Sequence, residues 1–275
     1  MEPVDTLLSL DPGKQDCYYR FRRDLERAST VVYVYVQDLS IIPQDQQTYG
    51  PDVIKVLKKG VEVWNQRWTT LTVFQRDGKI QCVQDDWEPH FLPLAVISRN
   101  VPRVDVLDLQ VKRRLKNRVS LVTHGPQGER QILKICPFEY QLSYMIREVN
   151  AYNILKGRGC ALIPSITAYV YERTEAQVIG FICEEFEGDF AGPDDYEDCK
   201  QSLQELHSYG VVHRDLNRFN IIMTASGPRF IDLEKATLDI DESISKQDFS
   251  RLQEEELEGL EKALCEPEEW GKPWL

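Results

Sequence analysis

The chain has 275 residues, 42% hydrophobic and 28% charged, a composition that suits one large or two small globular domains. Its net charge of −12 argues against nucleic acid or an anionic membrane as the main partner, because both bind basic surfaces. No apolar run approaches the ~20 residues of a membrane span, and the N-terminus lacks the basic and apolar regions of a signal peptide. Seven scattered cysteines without a Cys-x-x-Cys pair suit a reducing compartment, so we expect an intracellular protein, cytoplasmic or nuclear.

The first hundred residues combine helix and strand patterns without a catalytic constellation. The predicted elements are a charge-rich helix over residues 15–29, a β-branched strand over 30–36, a helix over 52–59 and a hairpin with strands 68–75 and 80–84. The hairpin prediction depends on the Asp77-Gly78 turn. We interpret residues 1–100 as a small α+β N-terminal extension of unknown role.

A three-stranded meander followed by a helix is expected next. The predicted strands cover residues 104–111, 119–123 and 131–135, with a basic turn at 112–118 and a second turn at 124–128. Lys134 lies on the last strand. Apolar residues at helical spacing predict a helix over residues 140–156, which contains Glu148. Packing of this helix on the meander would bring Glu148 to Lys134.

The remaining predicted elements are strands over residues 165–172 and 178–183, helices over 194–209 and 248–264, and a hairpin over 220–231. Two acidic stretches, at residues 184–198 and 254–269, are interpreted as solvated faces. Basic residues 112–118 form one short patch without interleaved aromatic residues, which argues further against nucleic-acid binding.

The hairpin predicts a metal site. If Ser226 is the centre of its turn, antiparallel pairing places Asn220 opposite Asp232 at the open end. Asp215 precedes Asn220 by five residues, on the loop that enters the hairpin. Carboxylate and amide oxygens at one place suit Mg²⁺, which binds one or two carboxylates together with substrate phosphates. The spacing therefore predicts a phosphoryl-transfer site.

Five segments resemble protein-kinase motifs in the same order. These are Lys134 in Ile-Leu-Lys-Ile, Glu148 on the following helix, residues 181–186 as the hinge, His213-Arg-Asp-Leu with Asn220 as the catalytic loop, and Asp232 in Ile-Asp-Leu-Glu in place of Asp-Phe-Gly. The chain thus resembles a compact, atypical member of the protein-kinase-like superfamily, similar to small fungal kinase-like proteins, RIO-type kinases and lipopolysaccharide kinases.

The resemblance implies an α+β, two-lobed protein-kinase-like fold over residues 101–275, with an N-lobe at about 101–184 and a truncated C-lobe at about 185–275. The N-terminal extension over residues 1–100 would precede it. No Ala-Pro-Glu follows Asp232, and the resemblance therefore implies that the usual platform for peptide substrates is missing.

The resemblance also implies the role of each site residue. Asp215 would accept a proton from the attacking hydroxyl, while Asn220 and Asp232 would hold Mg²⁺. Lys134, paired with Glu148, would bind the α- and β-phosphates of ATP. The backbone of Glu184 and Phe186 would hydrogen-bond adenine, with Cys183 as the gatekeeper.

Three features depart from the protein-kinase pattern. No Gly-x-Gly-x-x-Gly lies between the first two strands, where residues 112–118 stand instead; their side chains either bind phosphate or form a solvated turn. Glu234 replaces the glycine of Asp-Phe-Gly, which is typical of choline-kinase-like and aminoglycoside-phosphotransferase-like enzymes. Asn217 stands where Ser/Thr kinases have lysine.

Two functions follow from these patterns. The first is an ATP- and Mg²⁺-dependent phosphotransferase that transfers the γ-phosphate to a hydroxyl of a protein (Ser/Thr) or of a small molecule. The second is a pseudokinase, or nucleotide-binding interaction module, without catalysis. The changed glycine loop and the short C-terminal part motivate the second interpretation.

Overall fold

The computed structural model describes residues 2–26, 28–124, 128–265 and 272–274, and it shows a mixed α+β protein, as expected. The N-terminal elements are β1 (Val4–Pro12), β2 (Cys17–Asp24), β3 (Ser29–Val36), α1 (Gly50–Gly60), β4 (Thr70–Arg76) and β5 (Lys79–Gln84). They form a five-stranded sheet in the order β1-β2-β3-β4-β5, in which only the β3–β4 pair is parallel. The strand prediction at 30–36, the helix prediction at 52–59 and the Asp77-Gly78 hairpin are confirmed.

The helix prediction for residues 15–29 is wrong, because this segment contains strand β2. Tyr19 and Phe21 alternate along it and pack, fully buried, in the core of the first sheet. The arginines that suggested a solvated helix are themselves buried and paired: Arg20 with Glu172, and Arg23 with Asp5. Charge density was therefore a poor guide to exposure here.

A buried polar contact joins this sheet to the next part of the chain. Glu172 directly follows β10 (Ile166–Tyr171), and its Oε1 accepts a hydrogen bond from Arg20 Nε at 2.6 Å. Tyr33 OH donates to Glu172 Oε2 at 2.7 Å. All three side chains are buried, so removal of either partner of the Arg20–Glu172 ion pair would leave the other charge buried without solvent.

The second sheet has six strands in the order β6-β10-β11-β9-β8-β7. Besides β10, its members are β6 (Arg103–Asp105), β7 (Gln110–Lys116), β8 (Val119–His124), β9 (Glu129–Ile135) and β11 (Val178–Glu184). Helix α2 (Leu142–Gly157) follows β9, and its Met145, Val149 and Leu155 are fully buried. At Gly180 a Cβ would lie 2.1 Å from the carbonyl oxygen of Lys134, so β11 can pass β9 only with glycine there.

The first strand of this part differs from the prediction of one strand over 104–111 and a basic turn over 112–118. The Asp105 side chain accepts a hydrogen bond from Leu107 N at 2.9 Å and starts a short 3₁₀ turn that separates β6 from β7. The basic residues then belong mostly to strand β7, and the turn consists of Asn117 and Arg118. The predicted turn at 124–128 falls partly on residues 125–127, outside the described residues.

The C-terminal elements are β12 (Asp189–Phe190), α3 (Tyr196–Ser208), β13 (Val211–Val212), β14 (Ile221–Thr224), β15 (Gly227–Phe230), β16 (Thr237–Leu238) and α4 (Lys246–Cys265). The hairpin β14–β15 is confirmed, but its register differs by one residue. Ile221 pairs with Phe230, so Asn220 lies opposite Ile231, and Asp232 lies one residue beyond. None of the helices in the described ranges is long and apolar enough to cross a membrane.

Candidate functional site

A cavity of about 420 Å³ lies between the second sheet and the β14–β15 hairpin. Seven sequence-predicted residues line it: Lys134, Glu148, Cys183, Glu184, Phe186, Asn220 and Asp232. Asp215 does not line this cavity. A larger groove of about 520 Å³ lies beside α2, lined by residues between 95 and 166, and it contains none of the predicted site residues.

Lys134 lies at the centre of an acidic cluster in the cavity. Its Nζ is 2.6 Å from Asp232 Oδ1 and 3.1 Å from Glu234 Oε1. Glu148 Oε2 lies 2.8 Å from the same Nζ as an ion pair without hydrogen-bond geometry. Tyr152 OH donates to the other oxygen of Glu148 at 3.2 Å. The helix α2 and strand β9 thus bring Glu148 to Lys134, as the amphipathic pattern suggested.

The charges in this cluster shift three pKa values. Burial alone would lower the pKa of Lys134, but the attraction of three carboxylates raises it above its usual value. Burial, together with the nearby carboxylates of Asp232 and Glu234, raises the pKa of Glu148 to about 7, and Lys134 opposes this shift only in part. Burial would also raise the pKa of Asp232, yet Lys134 holds it well below the ordinary range. Glu148 is therefore protonated more readily than Asp232.

Two residues of the site loops have left-handed backbone: Asp232, which lines the cavity, and Arg214, which lines the neighbouring groove. Asp232 has φ 67° and ψ 61°, and Arg214 has φ 66°. This region is costly for residues other than glycine, although aspartate tolerates it better than most. Such conformations persist where surrounding contacts determine them, and they concentrate at functional sites.

The loop with His213, Asp215 and Asn220 is connected to the hairpin by hydrogen bonds. His213 Nε2 lies 2.9 Å from Ile231 O, and its Nδ1 accepts from Asp215 N at 3.3 Å, which assigns the neutral tautomer with the proton on Nε2. Asn220 Nδ2 donates to Asp215 O at 2.9 Å. The carboxylate of Asp215 is half exposed and pairs with Lys235 Nζ at 2.8 Å. Asp215 therefore lies beside the cavity on a loop that shares its framework.

Glu256 on α4 fixes this loop, and the sequence interpretation as a solvated acidic face is wrong for this residue. Its Oε2 accepts from His213 N at 3.1 Å and contacts His207 Nε2 at 2.8 Å. Its Oε1 accepts from Arg214 N at 2.6 Å, which supports the left-handed conformation there. One signal was present in the sequence: Glu256 precedes the buried Leu260 by one helical turn and lies on the apolar stripe of α4.

The segment at the end of β11 contains a backbone donor that is not used by the hydrogen bonds of the described residues, the Phe186 N–H. Cys183 is 5% exposed, and Glu184 N donates to Ser165 O at 3.2 Å. Among the described residues, none of the hydrogen bonds involves the Phe186 N–H, although Phe186 lines the cavity. The opposite wall includes Lys272, Pro273 and Trp274, whose N–H donates to Leu115 O at 2.7 Å. Nothing in the sequence pattern predicted this wall.

Two side-chain oxygens at the cavity, from Asn220 and Asp232, are not used by the hydrogen bonds of the described residues. Asn220 uses its amide nitrogen to bind Asp215 O, and its Oδ1 enters none of the hydrogen bonds in the described part of the chain. Asp232 uses Oδ1 for Lys134, and its Oδ2 is likewise uncommitted there. An amide and a carboxylate oxygen are ligands that Mg²⁺ accepts. Glu148, Asp232 and Glu234 also approach one another within 4.8 Å, but Lys134 already supplies positive charge between them.

No protein-family model matches the chain, and comparison with curated proteins gives no significant match. Functional inference therefore depends on the chemistry and geometry of the site.

Proposed function

We propose that this protein is an ATP- and Mg²⁺-dependent phosphotransferase, a kinase that transfers the γ-phosphate to a hydroxyl of a protein or small molecule. Residues 101–275 would form a compact, two-lobed protein-kinase-like domain. The six-stranded sheet with α2 would be its N-lobe, and α3, α4 and the β14–β15 hairpin its short C-lobe. The domain would resemble small fungal kinase-like proteins, RIO-type kinases and lipopolysaccharide kinases.

One observation carries the proposal: the buried ammonium of Lys134 contacts Glu148 at 2.8 Å and Asp232 at 2.6 Å inside a cavity of about 420 Å³. This volume lies in the range of small-molecule sites. Burying the Lys134 ammonium and the Glu148 carboxylate has a desolvation cost that their attraction offsets only in part, and perturbed charge clusters of this kind concentrate at functional sites. Phosphoryl transfer needs this kind of preorganised charge, since positioning and electrostatics dominate its catalysis.

The other residues then have complementary roles. Asp232 and Asn220 would hold Mg²⁺, which neutralises charge on the transferring phosphate. The Phe186 N–H and the backbone of Glu184 would bind adenine at the end of β11. Asp215 would orient the acceptor hydroxyl from its half-exposed position beside the cavity.

A groove next to Asp215 would receive the acceptor; Asp215 does not line it, but its ion-pair partner Lys235 does. Tyr144, Arg147, Arg214 and Lys235 line it, and its volume is about 480 Å³. Lys235 is also the partner of Asp215, so an acceptor entering here would displace or share that ion pair.

A nucleotide-binding pseudokinase is the second candidate. The specific observation in its favour is that both proposed working carboxylates are engaged by lysines, Asp215 by Lys235 and Asp232 by Lys134. If these ion pairs persist when nucleotide binds, the site can hold a ligand without turning it over.

Thermal unfolding with ATP, with and without Mg²⁺, tests the proposal. A ligand at 100 times its Kd stabilises by about 2.7 kcal/mol, which corresponds to roughly 5–10 °C for a domain of this size. We expect a Mg²⁺-dependent shift of this order in the wild type, and its loss in Asp232→Asn and Lys134→Met. Asp194→Asn, an exposed aspartate on the C-terminal part, is the matched control.

ATP turnover separates the two candidates. Release of ADP that is abolished by Asp215→Asn, with binding retained, supports the phosphotransferase. Binding without any turnover across a panel of protein and small-molecule hydroxyl acceptors supports the pseudokinase. Absence of both binding and turnover in the wild type refutes both.

A further inference from the structure

The hairpin between β7 and β8 covers the cavity without glycine. Its turn consists of Asn117 and Arg118, so close backbone approach to a phosphate, the usual advantage of glycine, is absent here. The strand that enters the turn is basic, and its last residue, Lys116, lines the cavity. The hairpin therefore offers a side-chain cation in the place where a backbone cradle would otherwise lie.

The strand register directs Lys116 toward Lys134. Lys116 pairs with Val119 across β7–β8, and Val119 pairs with Lys134 across β8–β9. Directly opposed residues in antiparallel strands project from the same face of a sheet. All three residues line the same cavity, which agrees with this register.

Lys116 is half-buried without a close anionic partner. In the described part of the chain, its ammonium takes part in no hydrogen bond and no ion pair. Burial lowers its pKa, while the carboxylates of Asp232 and Glu234 at longer range oppose this effect. A partly desolvated cation that faces a cavity is a favourable partner for an anionic ligand.

Arg118 holds the turn over the acidic cluster. Its Nη2 donates to both oxygens of Glu234, at 2.7 and 2.9 Å, and Glu234 in turn contacts Lys134 at 3.1 Å. Arg118 Nη1 is buried and has no hydrogen-bond partner among the residues that the structure describes. This ion pair connects the turn of the hairpin to the loop that carries Asp232, and it thereby fixes the position of Lys116 relative to the cavity.

We propose that Lys116 is a phosphate-binding residue of the nucleotide site, which contacts the outer phosphates of a nucleoside triphosphate, and that Arg118 is a positioning residue that fixes the hairpin through Glu234. The proposal rests on the proposed nucleotide-binding function and adds the side chain that replaces a glycine-rich loop. Lys134 would hold the inner phosphates, and Lys116 would read the presence of the terminal one. The site would therefore distinguish ATP from ADP chiefly through Lys116.

Equilibrium binding of ATP, ADP and adenosine in the presence of Mg²⁺ tests this assignment on the full chain. Loss of one charge-assisted hydrogen bond of about 1.5–3 kcal/mol corresponds to roughly 10- to 150-fold in affinity. We expect Lys116→Met to weaken ATP binding by at least about ten-fold, to weaken ADP binding less, and to leave adenosine binding unchanged. Lys116→Arg, which keeps the positive charge, should retain most of the ATP affinity.

Lys112→Met is the matched control, because Lys112 lies on the same strand, carries the same charge and is exposed outside the cavity, where it binds Gln110. Equal ATP affinities in Lys116→Met and Lys112→Met, while wild-type binding remains sensitive to Asp232→Asn, would overturn the assignment of Lys116 and leave the proposed function standing. Failure of the wild type to bind any of the three ligands would overturn both. The melting temperature of each variant without ligand shows that the fold is intact.

Discussion

Glu256 provides the sharpest test of how the loop beside the cavity is held. Its carboxylate is 7% exposed and accepts from His207, His213 N and Arg214 N at 2.6–3.1 Å. Burial would raise its pKa, but the hydrogen bond from His207 and those from the two backbone N–H groups lower it. The residue therefore acts as a buried anionic cap for the loop.

Replacement of Glu256 by Ala leaves the His213 N–H and the His207 ring buried without this partner. Each unsatisfied buried group costs roughly 1–3 kcal/mol, so two of them give a loss of about 4 kcal/mol. Arg214 is exposed, and its N–H can find water. Urea unfolding at neutral pH measures the loss, and Glu258→Ala, an exposed position on the same helix, should change stability by less than about 0.5 kcal/mol.

The pH dependence gives a second readout for Glu256. Because its pKa is lowered by folding from an ordinary value near 4.5, its contribution is present above that value and disappears as the pH falls through the lower, folded value. The difference in the free energy of unfolding between the wild type and Glu256→Ala should therefore disappear in acid. Equal destabilisation by Glu256→Ala and Glu258→Ala at neutral pH would refute the assignment of Glu256 as the cap.

Two further predictions concern buried carboxylates. Folding raises the pKa of Glu148 from 4.5 to about 7, so the native state binds an extra proton between these pH values. The free energy of unfolding should therefore fall by up to about 3 kcal/mol as the pH rises from 4.5 to 7. Denaturant unfolding at pH 5 and pH 8 should show this dependence in the wild type and a weaker one in Glu148→Gln, and identical pH profiles of the two proteins would contradict the raised pKa. Glu172→Ala leaves the buried Arg20 side chain without its partner and should lower the free energy of unfolding by about 3–5 kcal/mol. Glu175→Ala, at an exposed position, is the control, and a loss no larger than that of the control would count against the Arg20–Glu172 contact.

Periodicity and turn chemistry were sufficient to predict much of the second half of the chain. Apolar spacing predicted α2 with Glu148 on it, and strand patterns predicted β9 with Lys134. The structure brings both residues to one cavity together with Asn220 and Asp232. The helix and strand patterns are local in origin, since each depends on residues within a few positions of one another, whereas the meeting of the four residues in one cavity depends on tertiary packing.

The one-residue error in the hairpin shows where local rules become insufficient. A two-residue turn at Ala225 and Ser226, closed by Gly227 with φ 96°, shifts the pairing so that Asn220 faces Ile231. Asp232 still enters the cavity because its left-handed backbone turns the chain after β15. Strand register alone predicted that Asp232 would reach the cavity by pairing opposite Asn220, whereas it does so through its left-handed backbone.

Tertiary structure decided which charges are buried. Residue type and local charge density indicate solvent exposure for Arg20 and Glu256, but each side chain is buried against an element distant in sequence. Glu172 lies 152 residues from Arg20, and Glu256 lies 43 residues from His213. Local sequence determined most of the helices and strands and the residues they carry, but not strand β2, where a helix was predicted, or the division between β6 and β7. Only the packed structure determined which charged side chains find partners, because a buried charge depends on contacts that no short window of sequence contains.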